Sequence, residues 1–324
     1  MATTGSVHRR AAVISEETVP GTTDATPTSY LLRCTDIQTR AAQSLIDIPA
    51  YRGDRRQGIP IPDLIDAGLT ITAPVYIDEI GWWLKWGVAN PKTTGSSVFT
   101  HTGKVGYSED VDGDIEGGLS IEVQYRDLDT PLYQVFTGCR ISTWKLSFQP
   151  GGGLFVTMEI VARAAGDFAT SSVQGTPTEY TSLPLSQADV TSIKEGGSTN
   201  AICRGGEFRV NNDLATDIYY VGGLLNRGDL TTGQAIVDGT VTYLFQSVTL
   251  AEKGTNGTET ALEIIWTQGA TTLTIEAVEM LYVPTQPTAQ GSALVLAFEW
   301  KAFEGNDADA APLKYILLNA VTSY

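Results

Sequence analysis

Apolar and polar residues alternate with period two along most of the chain, and the 3.6-residue period of an amphipathic helix is scarce. Thr, Val, Ile and aromatic residues fill short runs that Gly, Pro, Asn and Asp punctuate. The pattern predicts strands over 30–37, 68–75, 119–125 and 133–148. The turn Gln149-Pro150-Gly151-Gly152-Gly153 then reverses the chain into 154–163, so the two runs read as one long hairpin. Further strands are predicted over 206–210, 235–245, 261–268, 271–283, 293–303 and 313–320. One helix stands out. Ile77, Ile80, Trp83, Leu84 and Val88 recur at helical spacing, and Asp78 and Glu79 suit its positive end. Trp82, Trp83 and Trp86 read as a stripe packed on a sheet in preference to a sugar platform.

Three stretches lack alternation. Residues 1–28 are small and polar and read as an exposed arm. Residues 39–67 read as a long loop, and 167–200, rich in Ser, Thr, Gly and Pro, as a linker or extended arm. Between them the order of elements repeats. Gly68-Leu69-Thr70-Ile71-Thr72 corresponds to Gly239-Thr240-Val241-Thr242-Tyr243. Each is followed by a short helical segment (77–88 and 247–254), a medium strand (119–125 and 261–267) and a long hairpin. The expected organisation is an N-terminal arm 1–28, a first domain 29–166, a linker 167–200 and a second domain 201–324. The fold class is mainly β: two tandem β-sandwich or barrel domains, each with a short helix.

Length fits two domains, since 324 residues are about twice the ~150 of a typical one. Charge then narrows the partners. The chain has 21 Lys and Arg against 37 Asp and Glu, a net charge of −16, so it lacks the basic surface that tight nucleic-acid binding requires. The acidity is heavier after residue 166.

Candidate chemistry is sparse. Only His8 and His101 are present, too few for histidine acid–base chemistry or a His-rich metal centre. Cys34, Cys139 and Cys203 are odd in number and far apart, which predicts reduced thiols. Met1–Ser6 shows no charged-then-apolar leader, and no apolar run approaches the ~18 residues of a membrane span. Asn256-Gly257-Thr258 is read as a turn. Gly151-Gly152-Gly153 precedes a strand and so is no phosphate cradle. Ser142 and Lys145 have the spacing of a nucleophile pair but lie within a strand. The acidic run Asp110–Glu116 departs from a calcium loop at Ile115 and Ile121, and is read as an exposed loop. No cofactor and no catalytic or metal residue is expected. A glycosidase would need two carboxylates across a cleft, and nothing marks such a pair.

Several segments, taken in order, resemble the major tail tube proteins of long non-contractile (siphovirus-like) phage tails, in the larger type that carries two tube domains per chain. They are Glu17-Thr18-Val19-Pro20-Gly21-Thr22, the strand-to-helix segment Ala73–Ile80, and Thr137–Ser147. In the second half they are Phe208–Leu214, Gly257–Glu263 and the ending Pro312–Val321. The resemblance spans most of 17–321. It implies a structural virion protein, not an enzyme, whose rings stack into a hollow tube conducting the DNA genome from capsid to host. It further implies an inner β-barrel completed between subunits, with three two-domain chains giving pseudo-hexameric symmetry. The partners implied are other copies of the chain, a tape measure protein, tail terminator and distal tail proteins, and duplex DNA in non-specific passage. No membrane is involved. The location implied is the virion tail, assembled in the bacterial cytoplasm.

An acidic wall would repel phosphates and so suit a conduit, within a screening length of about 10 Å. Alternation in the hairpins nominates lumen-facing residues: Thr143, Lys145, Thr157, Glu159, Glu276, Glu299 and Lys301. The competing reading is a β-sandwich surface module that binds a carbohydrate or receptor.

Overall fold

The computed structural model describes residues 9–47, 58–106, 117–222, 225–305 and 311–324. In chain order the first set of elements is β1 (Arg10–Glu17), β2 (Ser29–Leu32), β3 (Asp36–Ile46), β4 (Ile61–Pro74), α1 (Ile80–Gly87), β5 (Lys92–Gly95), β6 (Phe99–Lys104), β7 (Gly118–Tyr125), β8 (Leu132–Phe148), β9 (Phe155–Ala162) and β10 (Ala164–Ala165). The second is β11 (Val190–Glu195), β12 (Ser198–Thr199), β13 (Cys203–Asn211), β14 (Ile236–Leu244), α2 (Thr249–Asn256), β15 (Thr260–Gln268), β16 (Thr271–Tyr282), β17 (Thr288–Gln290), β18 (Ala293–Ala302) and β19 (Lys314–Asn319).

The two sets pair alike, and all these pairs are antiparallel. In the first, β1 pairs with β7, β3 with β4, β4 with β9, β7 with β8 and β8 with β9. In the second, β11 pairs with β15, β13 with β14, β14 with β18, β15 with β16 and β16 with β18. The longest strand of each set serves two layers. Residues 132–139 of β8 pair with β7 and residues 140–147 with β9. Residues 272–276 of β16 pair with β19 and residues 280–282 with β18. Bending one strand across both layers closes a sandwich corner without a loop.

A seam joins the sets. Residues 143–148 of β8 pair with 206–211 of β13, which makes one common sheet in the order β3–β4–β9–β8–β13–β14–β18. Beyond β18 lie the end of β16 and β17. The sheet is not closed. Alternation buries Trp144, Leu146 and Phe148 on β8, Val156, Met158 and Ile160 on β9, Phe208 and Val210 on β13, and Phe298 and Trp300 on β18. Rings cross the seam in contact: Phe148–Phe208 centroids are 5.9 Å apart and Phe148–Trp266 6.5 Å. Both sets therefore share one hydrophobic cluster.

Helix α1 buries the predicted tryptophan stripe. Its acids Asp78 and Glu79 stand at the helix start, as predicted, and their side chains have a further role. Neither caps the helix; Glu79 is 1% exposed and receives the Arg33 backbone N–H (2.9 Å) and Nε (3.0 Å). Asp78 receives Arg33 Nη2 (3.0 Å) and the Ser182 N–H (3.2 Å), so the clasp also holds the following connection. Burial, only partly offset by Arg33, raises the Glu79 pKa to about 7. The chain end closes over the same helix: the Tyr324 hydroxyl donates to the Asp78 carbonyl (2.9 Å) and Asn319 Nδ2 to that of Ile77 (2.8 Å). Strand β19 pairs with β6, and His101, buried, bonds Thr93 (2.8 Å) and the Val321 carbonyl (3.0 Å).

Three stretches differ from the sequence reading. Within 1–28, residues 10–17 form β1, with Ala12, Val13 and Ile14 fully buried. The run is too short, and too closely followed by Glu16 and Glu17, to show alternation. The loop 39–67 instead carries most of β3 and the first half of β4, paired from Asp36↔Thr72 to Ile46↔Ile61. Beyond Ile37 every side chain of β3 is exposed; with neither face buried, no period-two signal arises. The stretch 167–200 runs along the first set, with Thr178 exchanging backbone bonds with Ser29 and Leu31 and Leu185 with Val75 and Leu154. It ends in β11, which pairs with β15. Strands β5, β6, β10, β12 and β17 also escaped the pattern; all but β6 have four residues or fewer. The repeat also shifts by one residue. Leu69 and Gly239 both face the core, opposite Ile160 and Trp300 respectively, so Gly68 matches Asp238 and not Gly239.

Candidate functional site

The polar face of the common sheet gathers most of the nominated residues into rows. Opposite partners run Asp36–Thr72–Thr157–Lys145–Arg209–Asp238–Lys301 through seven strands. A second row is Gln38–Thr70–Glu159–Thr143–Asn211, and a third is Ser147–Glu207–Thr240–Glu299. Thr143, Lys145, Thr157, Glu159, Glu299 and Lys301 thus share one surface. Glu276 does not. It lies opposite Glu263 and Lys314 on the other layer, in a row that continues to Lys194 and Lys104.

The electrostatics of the shared face are set by pairing. Lys145 Nζ lies 2.8 Å from Glu207 Oε2, diagonally across the seam. The Arg209 guanidinium grips Asp238 with two bonds, Nε–Oδ1 2.6 Å and Nη2–Oδ2 2.5 Å. That contact raises the Arg209 pKa above its ordinary value. Arg40 pairs with Asp66 at 2.7 Å. The face therefore carries both signs, with these three cations tied to acids on neighbouring strands, and the excess acidity of the chain lies mostly elsewhere. Glu207, Arg209 and Asp238 were missed as members of this face. The alternation in 206–210 that buries Phe208 and Val210 already places Glu207 and Arg209 opposite them.

The same surface offers little for chemistry. The Ser142 hydroxyl donates to the Glu159 carbonyl (3.1 Å) while Lys145 is held by Glu207, so the two do not combine. Among the described residues no group of three or more His, Cys, Asp or Glu could hold a metal. The acidic run Asp110–Glu116 lies outside the described residues. The three cysteines are free, and burial pushes Cys34 up to about 11. Among the described residues no helix is long and apolar enough to cross a membrane.

The motif Glu17–Thr22 proves to be a structural hub at the edge of the first set. Glu17 is 7% exposed, and its carboxylate accepts the Gly21 N–H (2.6 Å), the Gly138 N–H (2.8 Å) and the Ser120 hydroxyl (2.8 Å). Gly21 sits at φ +91°, a conformation that favours glycine. Thr22 N–H closes the turn on the Val19 carbonyl at 3.0 Å.

No curated protein matches the chain. A family match, described as phage tail tube protein, covers residues 8–302, which include β1 to β18, the seam and the polar rows. With a mainly β fold of sandwich domains carrying short helices, the chain belongs to the phage tail tube protein family and is a structural component of the virion tail.

Proposed function

We propose that three copies form a ring of six similar tube domains, that the rings stack into the siphovirus-type tail tube, and that the polar rows of the common sheet line the channel. The observation that carries this reading is the seam. Two sets of strands with the same pairing pattern are joined edge to edge, so one chain supplies two adjacent sixths of a barrel wall. Thr143, Lys145, Thr157, Glu159, Glu299 and Lys301 belong to that wall; Glu276 belongs to the outer layer. The domain limits follow the pairing, with 9–165 as the first copy and 190–324 as the second. The segment between them straps the first copy.

Passage of duplex DNA needs a wall that does not hold phosphates. The ion pairs of Lys145, Arg209 and Arg40 with Glu207, Asp238 and Asp66 meet that need by occupying the cations. Ring-to-ring contact is supported by the exposed apolar side chains Leu45, Ile46, Ile61 and Leu64 at the far ends of β3 and β4. The tape measure, terminator and distal tail proteins are the further partners, and assembly takes place in the bacterial cytoplasm. Electron microscopy of the purified protein tests the reading. Threefold rings or tubes are expected, and a protein that stays monomeric at high concentration refutes it.

A further inference from the structure

The chain contains its own template for the contact between chains. β3 and β13 are equivalent strands. Gln38 faces Thr70, which faces Glu159; Glu207 faces Thr240, which faces Glu299. Two residues further on, Arg40 and Arg209 each pair with an aspartate of the next strand, Asp66 and Asp238. The outer edge of β13 is covered by residues 143–148 of β8. Among the described residues β3 pairs with no strand but β4, although eleven residues long and exposed along most of its length. A bare edge of that length is a template for another strand.

The strand that should cover it is found by the same rule. Ser147, opposite Glu207 across the seam, lies opposite Phe155 on its other side. In the second set Thr288 lies opposite Val295 at the corresponding place. Val283 donates its N–H to Glu299 (2.8 Å), as Thr143 lies opposite Glu159. Residues 283–288 therefore stand where 143–147 stand, one residue longer. This stretch forms the sheet edge beyond β18 and is largely exposed.

We infer that residues 283–290 of one chain add antiparallel to β3 of a second copy, with Thr288 opposite Gln38. The inference rests on the ring proposed above and fixes which edges meet and in what register. It also makes the two kinds of seam unequal. Pro284 and Pro287 lack N–H groups, so the ladder between chains is poorer in hydrogen bonds than the one inside. Gln38 stands where Glu207 stands, so the ion pair to Lys145 has no counterpart. Prolines on an edge also guard an unassembled chain against unwanted strand pairing. The ring is then stiff within chains and yielding between them, at alternate seams.

Directly opposed residues in an antiparallel ladder come within disulfide reach. The test places Gln38→Cys and Thr288→Cys in a chain with Cys34→Ser and Cys203→Ser, and oxidises assembled tubes mildly. Covalent dimers and trimers are expected at least tenfold more abundantly than from the shifted pairs Asp36→Cys/Thr288→Cys and Arg40→Cys/Thr288→Cys. Tubes in which a shifted pair links best, or none links, overturn the register and leave the tube reading intact. Failure to form rings or tubes at all overturns both. Hydrogen exchange on the unmodified protein gives an independent reading: alternate β3 amides should be protected at least tenfold more in tubes than in the unassembled chain. Equal exchange in the two states overturns the inference.

Discussion

Replacing Glu17 by Ala removes one side chain and strands several donors. The buried Gly138 N–H loses its acceptor, as does the part-buried Gly21 N–H. Ser120 loses less, because its hydroxyl also lies 2.6 Å from that of Thr23 and can turn to it. An orphaned buried donor costs about 1–3 kcal/mol, and a hydrogen bond to a charged group contributes about 1.5–3 kcal/mol. With Ser120 discounted and Gly21 open to water in part, the expected loss is about 3–5 kcal/mol. Glu17→Gln keeps one acceptor oxygen and the shape, and should lose about 1–2 kcal/mol. Urea unfolding of the unassembled protein, followed by tryptophan fluorescence, measures both; the slope against urea should stay constant while the midpoint falls. A loss below about 1 kcal/mol for Ala, or equal losses for Ala and Gln, would refute the account of Glu17 as a hub that satisfies buried backbone.

Other perturbations probe the core, the clasp and the polar face. Gly239→Ala places a methyl group 2.0 Å from the Glu207 carbonyl and 2.5 Å from the Trp300 ring; a loss of about 2–4 kcal/mol is expected in the same unfolding assay, and near-neutrality would contradict the close packing. Glu79 binds its proton more tightly folded than unfolded, so its contribution is full below its ordinary value of 4.5 and is lost as pH rises through about 7. Glu79→Gln should therefore show a flatter stability–pH curve across that window, and parallel curves would refute the raised pKa. Tubes carrying Glu207→Gln with Asp238→Asn free Lys145 and Arg209; they should retain short duplex DNA at low salt and release it as salt rises, unlike the parent. Equal retention would refute the view that pairing silences these cations.

Elements with one buried face were legible in the sequence: β8, β9, β14, β15, β16 and β18 all lie where alternation placed them, and β7, buried on both faces, also lies where it was predicted. β3 was not, because beyond Ile37 both its faces are exposed and neither leaves a period-two mark. β1 failed for the opposite reason. Its Glu17 looks like a surface residue in the sequence, and only the folded chain brings Gly21, Ser120 and Gly138 to its carboxylate. Six of the seven nominated wall residues share a surface because two-residue periodicity fixes the face along a straight strand. Glu276 fell outside because β16 bends between layers, and a bend that carries a strand from one sheet to another leaves no mark on alternation.

The return of the chain end to α1 bears on how the protein is made. β6 stays unpaired on one side, His101 lacks its Val321 partner and the Trp82 ring lacks Tyr324 until residues 314–324 have been synthesised. The first set of strands, although synthesised first, is thus completed only by contacts more than 200 residues apart in sequence. Such distant contacts form slowly and leave apolar surface open in the interval.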